Sequence, residues 1–455
     1  YKHQSSSLKW SWSSVDSYWS IRDEVAYTAP LTDSAPRLCT FVFWIYSKEP
    51  VTNGHLKVEF LKKGRVTSHF EYGLNFSGWR GAWVAFDRDM EGQPEVGMDE
   101  VRFSVPGVNS GTLFFDHVIL ASMQDARHHT ADFQAPFINV RTRNHWLILN
   151  DSWNKEFDVP LKPPSEKEVN DAAQIANRLK EYFLEEGCTL PLSMLREEVE
   201  AYRITENDDG TVRGVPLFLE RFGETYEMFG ADRYHKIYNN IMGMEKFNAT
   251  LLRVAVAYHQ SEIPAERREL EDLFVTMIRH MLDQGFQAGS AMGTLHHSGY
   301  SMEQFYPAVF LMLEPLERHG LRTTVQQAAE WFAGTGEARE KPTTPGTDVD
   351  TFNTNLIARL TSILMIESEP EKIRYLHAFK QWLDNGYQYT DGTRGTFKID
   401  GTMFHHRHHY PAYAVGGFKG AVEAIYLLRG TDFKISERSH RILKNALLSM
   451  RVYCN

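Results

Sequence analysis

Residues 400–413, DGTMFHHRHHYPAY, crowd four histidines, one arginine and two tyrosines between a turn signal and the start of an apolar helical pattern. Histidine titrates near neutral pH, and a tyrosine whose pKa is lowered can act first as a base and then, once protonated, as an acid. The stretch therefore indicates acid and base chemistry at neutral pH. A bend at Pro411 can turn His406 and Tyr413 towards one cleft.

A second loop with paired histidines lies earlier in the chain, and both loops follow a similar helix-ending sequence. LDQGFQ at 282–287 and LDNGYQ at 383–388 echo each other, and each predicts the end of a helix at a glycine in the left-handed C′ conformation. Each then leads to a loop with paired histidines, beginning at His296 or His405. If the helical hairpins are arranged in a ring, the two loops can converge on one mouth, where function tends to lie.

Other chemistries fit the same residues. The histidines can be surface or capping residues, or they can hold zinc, for which His405 or His406 with His409 has a suitable spacing. No HExxH motif and no neighbouring carboxylate supports zinc.

Carboxylates offer the third alternative. Inverting glycoside hydrolases also use helical rings and need two carboxyl groups several ångströms apart. Asp348, Asp350 and Asp400 are the candidates.

The elements that must position these residues fall into two domains. Short alternating runs at 56–60, 101–105 and 112–120 predict a β-sandwich over residues 1–150. Residues 151–168, rich in proline and charge, predict an extended linker. Apolar residues spaced by three and four then predict helices over residues 169–455, for example at 169–183 and 270–281.

Composition narrows the function classes. The 455 residues carry a formal net charge of −10, which argues against a nucleic-acid coat but leaves room for a basic cleft that binds a polyanion. Three scattered cysteines predict no disulfide framework, and no long apolar window predicts a membrane span. Arg213, in the polar loop ENDDGTVRGVPL, is a candidate contact for sulfate or carboxylate.

Three blocks together suggest a family: LDQGFQAGSAMGTLHHSGYS, DVDTFNTNLIARL and DGTMFHHRHHYPAYAVGGFKGAVEAIYLLRGTDF. In this order they resemble the bacterial chondroitin sulfate ABC lyases, within the hyaluronate and chondroitin lyase family. FSGWRG and LFFDHVILASMQDARH in the N-terminal part are more weakly similar. The resemblance implies an N-terminal jelly-roll β-sandwich, carbohydrate-binding-like, followed by an incomplete (α/α) helical toroid that is catalytic, with C-terminal β-sandwich domains beyond this chain.

The resemblance also implies cleavage of chondroitin and dermatan sulfates by β-elimination at the uronic acid. Tyr413 resembles the general base and acid for glucuronate, with His406 beside it, and His296 resembles the histidine that serves iduronate. The remaining candidates bind substrate: His297, Arg213, Arg407, Asn353 and His405.

The chain departs from the family pattern at two points. Where broad-specificity relatives carry an arginine just before the catalytic histidine, this chain has His405, with Arg407 following. The family's catalytic arginine and glutamate are expected after residue 455, so we expect a trimmed or processed part of a longer enzyme that has little or no activity alone. The remaining alternative is a non-catalytic fragment that binds glycosaminoglycans.

Cofactors and partners complete the expectations. Asp116 resembles the position where jelly-roll domains hold structural calcium, and calcium or magnesium near His296 can help neutralise the uronate. No organic cofactor is expected. We expect a secreted or periplasmic bacterial protein that acts as a monomer on sulfated glycosaminoglycan chains, and binds neither nucleic acid nor membrane.

Overall fold

The structure is a computed structural model that describes most of the chain. The described residues are 6–29, 37–125, 149, 151–188, 190–208, 212–218, 242–290 and 298–453. The chain forms two compact units. The first comprises Tyr1–Asn150, Ser193–Thr250 and Asp272–Ser301, and the second comprises Asp151–Leu192, Leu251–Glu271 and Met302–Asn455.

The N-terminal part of the first unit consists of strands and one short helix. They are β1 (Leu8–Trp12), β2 (Tyr18–Ile21), β3 (Arg37–Ser47), β4 (His55–Lys62), β5 (Arg65–Gly73), β6 (Gly78–Ala85), α1 (Phe86–Asp89), β7 (Glu91–Gly92), β8 (Glu100–Ser104) and β9 (Gly111–Asp125). Alternation along the chain explains them: β4, HLKVEFLK, buries almost every second side chain. The strands predicted at 56–60, 101–105 and 112–120 are confirmed as β4, β8 and β9.

These strands form two antiparallel sheets, ordered β1-β9-β3-β6 and β2-β8-β4-β5-β7. Their inner faces meet in an aromatic core, where Phe41 of β3 lies edge-on to Phe60 of β4 with ring centroids 5.1 Å apart. Phe43 and Phe103 make the same kind of contact at 6.3 Å. The predicted sandwich is therefore present, and its jelly-roll connectivity stays a prediction.

Helices dominate the remaining described residues. They are α2 (Glu166–Glu186), α3 (Leu192–Glu200), α4 (Met244–Gln260), α5 (Pro264–Asp283), α6 (Ser298–Met302), α7 (Phe305–Leu311), α8 (Leu313–Arg318), α9 (Arg322–Ala333), α10 (Leu356–Met365), α11 (Glu369–Gly386), α12 (Pro411–Leu428) and α13 (Glu437–Tyr453). A 3-10 turn spans Thr335–Ala338, and a π-helical turn spans Thr351–Asn355.

Short strand pairs interrupt the helices. They are β10 (Thr205–Glu206) with β11 (Val212–Arg213), β12 (Leu217–Phe218) with β13 (Met242–Gly243), and β14 (Phe404–His405) with β15 (His408–His409).

The helical periodicity predicted from the sequence is confirmed in α2 and α5. Ile175 and Leu179 of α2 and Phe274 and Met277 of α5 are fully buried. Ser165 caps α2: its Oγ accepts from the Glu168 backbone N–H, while the Glu168 carboxylate accepts from the Ser165 N–H. No described helix is long and apolar enough to cross a bilayer. The arrangement of the helices as a toroid stays a prediction.

Both glycines mark a helix end as predicted, but the left-handed conformation is confirmed for Gly285 and wrong for Gly386. Gly285 follows α5 with φ +84°, as a C′ glycine does. Gly386 is the last residue of α11 and has no positive φ. It is needed there for close packing, because a Cβ would come within 3.3 Å of Thr347 Cγ2 and 3.5 Å of Phe352 Cζ.

Candidate active site

The histidine-rich stretch forms a hairpin in the second unit. β14 pairs antiparallel with β15, so that Phe404 lies opposite His409 and His405 opposite His408. His406 and Arg407 make the turn, with φ angles of +50° and +69°. Positive φ at both central positions is the pattern of a type I′ turn, which normally uses asparagine and glycine. This strained turn holds the exposed side chains of His406 and Arg407.

His405 lies beneath the turn and stacks on Tyr413. The two rings are 4.2 Å apart between centroids and inclined by only 12°. The His405 side chain is 5% exposed, and neither ring nitrogen has a hydrogen-bond partner among the described residues. His406 is farther from Tyr413, at 6.2 Å between ring centroids. The structure thus brings both predicted histidines to the tyrosine and places His405 nearer.

Helix α12 positions Tyr413, and glycines set its distance from the π-helical turn. A Cβ on Gly420 would clash with the Phe352 carbonyl oxygen, and one on Gly416 would lie 2.7 Å from Asn353 Oδ1. The helix therefore packs directly on the backbone of the turn. This contact brings Asn353, a predicted substrate ligand, against the helix that carries Tyr413.

Two carboxylates flank the same histidine. Asp348 Oδ1 is 3.4 Å from His405 Nδ1 and accepts a 2.9 Å hydrogen bond from the Asp350 backbone N–H. Asp350 Oδ1 is buried and has no hydrogen-bond partner among the described residues. Within the part of the chain that the structure describes, these three residues form the one group of three or more potential metal ligands, with donor atoms all within 4.8 Å of one another.

This geometry disfavours two of the alternatives drawn from the sequence. Inverting hydrolases hold their carboxyl groups about 6.5–9.5 Å apart, a wider spacing than that of Asp348 and Asp350. Asp400 accepts from the Thr402 Oγ and N–H at 2.7 and 3.0 Å, and these bonds lower the pKa of Asp400. Of the histidines considered for zinc, His405 belongs to the group with Asp348 and Asp350, whereas His406 and His409 belong to no ligand group of three among the described residues.

The other predicted residues lie elsewhere. Arg213 is exposed on β11 in the first unit, opposite Thr205. Asp116 lies in β9, and its carboxylate accepts a 2.7 Å hydrogen bond from the His117 N–H, so calcium there stays a prediction. His296 and His297 fall outside the described residues.

Lys398 is a residue that the sequence reasoning missed. Its ammonium lies 4.8 Å from the Phe404 ring centroid, donates to Thr390 Oγ at 2.8 Å, and also donates to the Arg394 carbonyl. Burial lowers the pKa of Lys398. A lysine among threonines, glycines and aspartates gives no sequence signal for this role, yet here it holds residues 390–394 against the first strand of the hairpin.

Comparison with known proteins follows the same division of the chain. Residues 1–137 match the family model described as "Lyase, N terminal", and residues 159–455, well over half the chain, match "Lyase, catalytic". The chondroitin sulfate ABC exolyase of Bacteroides thetaiotaomicron is 42% identical over 423 residues, which is 92% of this chain and 41% of that protein. The chain belongs to the chondroitin sulfate ABC lyase family.

Two Proteus vulgaris members of the lyase family are more distant. The chondroitin sulfate ABC exolyase is 29% identical, and the match covers 98% of this chain and 46% of that enzyme. The chondroitin sulfate ABC endolyase is 27% identical, and the match covers 99% of this chain and 47% of that enzyme. The chain thus spans less than half the length of these curated ABC lyases. The matched catalytic region includes the hairpin, the π-helical turn and α12.

Proposed function

We propose that this chain carries the catalytic groups of a lyase that cleaves chondroitin sulfate and dermatan sulfate by β-elimination and releases unsaturated oligosaccharides. The observation that supports this most is the stack of Tyr413 on buried His405, directly beneath an exposed turn of histidine and arginine. The family relationship favours the same substrates, because the curated relatives are named for chondroitin sulfate.

The reaction requires three tasks. The proton on C5 of a uronate is very weakly acidic, so an enzyme must neutralise the adjacent carboxylate, remove that proton and protonate the leaving oxygen on C4. Tyr413 is the group proposed for both proton transfers: its phenolate takes the C5 proton, and the resulting phenol returns a proton to the C4 oxygen.

The surrounding residues orient the phenol and supply the remaining requirement, the positive charge that neutralises the carboxylate. The parallel His405 ring covers one face of the phenol and fixes its direction. At the turn, the guanidinium of Arg407 is exposed and can donate paired hydrogen bonds to a carboxylate or sulfate. His406 and the amide of Asn353 complete the polar groups that we assign to substrate binding.

Dermatan cleavage is the finer part of the proposal. Iduronate presents its C5 proton on the opposite face of the sugar, so a second base is needed, and we assign this role to His296 with His297 beside it. The support is the sequence resemblance of their loop. Because the polymeric substrate is extracellular, we also propose a secreted or periplasmic location.

Product analysis on both polymers tests this proposal. Digests of chondroitin sulfate and dermatan sulfate by the full-length protein are compared by mass spectrometry with digests by its His296→Ala variant. We expect oligosaccharides lighter by one water than hydrolysis products, and a selective loss of dermatan cleavage in the variant. Saturated products would mean a hydrolase, and equal loss on both polymers would remove His296 from its assigned role.

A further inference from the structure

We propose that Asp348, Asp350 and His405 form a binding site for one divalent transition-metal ion. The site offers two carboxylates and one imidazole, with donor atoms all within 4.8 Å of one another. An ion about 2.0–2.2 Å from each donor keeps donors at most about 4.4 Å apart, so small side-chain movements close the site around it.

The buried, unsatisfied atoms are what point to an ion rather than to a solvated acidic pair. Both ring nitrogens of His405 lack a hydrogen-bond partner among the described residues, although the side chain is 5% exposed. Asp350 Oδ1 is also buried without a partner there. Buried polar atoms are normally satisfied, and such orphans need an explanation.

A proton on His405 would be the simplest alternative, since Nδ1 is 3.4 Å from Asp348 Oδ1. A neutral imidazole with its proton on Nδ1 could donate to that oxygen without carrying a charge, but it would still leave the buried oxygen of Asp350 unsatisfied. A cation bound by all three donors satisfies one ring nitrogen of His405 and the buried oxygen of Asp350 at once.

The donor set also selects the class of metal. Calcium and magnesium prefer ligand sets made only of oxygen, whereas imidazole favours first-row transition ions. Manganese and zinc accept the mixture of one nitrogen and two carboxylate oxygens found here. Because His405 stacks on Tyr413, such an ion would lie beside the proposed base; that consequence rests on the proposed function, whereas the binding itself does not.

Manganese binding to the full-length protein tests the site without reference to turnover. Electron paramagnetic resonance titration with Mn²⁺ counts the bound ions, and electron spin-echo envelope modulation detects coupling to a histidine nitrogen. We expect a bound Mn²⁺ with nitrogen coupling, and affinity at least about tenfold weaker in Asp348→Asn.

The matched control is Glu367→Gln, which removes one exposed carboxylate outside the cluster and should leave binding unchanged. Asp348 is 57% exposed, so its replacement should not disturb folding, and an unchanged melting temperature would establish this. Absence of Mn²⁺ binding, absence of nitrogen coupling, or equal affinity in Asp348→Asn and the parent would overturn the proposal.

Discussion

Among the residues that the structure describes, two hairpin turns have positive φ at both central residues, and their compositions differ. Lys63-Gly64, between β4 and β5, supplies the glycine that such turns favour. His406-Arg407 has no glycine and pays a steric cost of about 1–2 kcal/mol per residue in this conformation. A strained turn that displays two side chains suited to binding anions indicates that function, rather than stability, determines its sequence.

Replacing Arg407 by glycine separates these two roles. Arg407→Gly should stabilise the protein by about 1 kcal/mol, because glycine relieves the strain, and should raise KM for chondroitin sulfate, because the guanidinium is lost. Chemical denaturation and steady-state kinetics measure the two effects.

The control for this prediction is Lys63→Gly, which places glycine at the first central position of the β4–β5 turn, one residue before Gly64, and should leave KM unchanged. An unaltered KM in Arg407→Gly would remove Arg407 from substrate binding.

Glu330 gives the protein a predicted pH dependence of stability. It is 8% exposed in α9, and burial raises the pKa of Glu330 to about 7. A carboxylic acid whose pKa is raised by folding stabilises the folded protein most at pH values below its unfolded pKa of 4.5. That stabilisation is lost as the pH rises towards the folded pKa of about 7. The full contribution of this pKa shift to the free energy of unfolding is about 3 kcal/mol.

Glu330→Gln should therefore flatten the fall in melting temperature between about pH 5 and pH 8. This range covers the interval between the unfolded and folded pKa values of Glu330. Scanning calorimetry across this range measures the change, with exposed Glu367→Gln as the control. The same slope in Glu330→Gln and the parent would show that Glu330 is not protonated in the folded state.

At the scale of elements, the contact of α12 with the π-helical turn controls the geometry of the site. Because a Cβ at Gly420 clashes with the Phe352 carbonyl, Gly420→Ala should push the turn away and destabilise the protein by about 1–3 kcal/mol. Activity should fall more than stability explains, since Asn353 and Tyr413 lie on the two sides of this contact.

Thermal unfolding and kcat/KM measure these effects. Val422→Ala on the same helix is the control, because Val422 is 43% exposed. Wild-type kcat/KM in a folded Gly420→Ala protein would show that this packing does not position the site.

Elements with a strong period were predictable, and those set by tertiary packing were not. Alternation located β4 and the three-and-four spacing located α2, since burial of one face produces both patterns. Gly386 was predicted to end its helix in the left-handed conformation; it is the last residue of α11, but it lacks a positive φ and instead keeps a side chain out of a crowded contact. The π-helical turn at Thr351–Asn355 has no periodic signature and was not predicted.

The candidate site was predictable in composition but not in arrangement. The sequence singled out His406, Tyr413 and Asp348 by type and spacing. It could not show that His405 turns inward to stack on Tyr413, because in a two-residue hairpin the direction of each side chain depends on register. Nor could it bring Asp348 to His405, a contact between residues far apart in the chain.

At the scale of the whole molecule, two observations agree on the order of parts. Residues that match the N-terminal lyase model include the sandwich strands, and those that match the catalytic model include the helices and the hairpin. A β region followed by a helical region, predicted from the spacing of apolar residues, is confirmed. The proposed activity then depends on chemistry at one tyrosine.

The most direct measurement is ultraviolet absorbance during digestion of chondroitin sulfate by the full-length protein and its Tyr413→Phe variant. Elimination creates a conjugated C4–C5 double bond, so absorbance should rise with the parent protein. The matched control is Tyr426→Phe, at a 51% exposed position near the other end of α12, and its rate should equal that of the parent. Loss of at least about a thousandfold in Tyr413→Phe alone is the predicted result. A rise in absorbance at the parent rate in Tyr413→Phe would contradict the assignment of Tyr413 as the base.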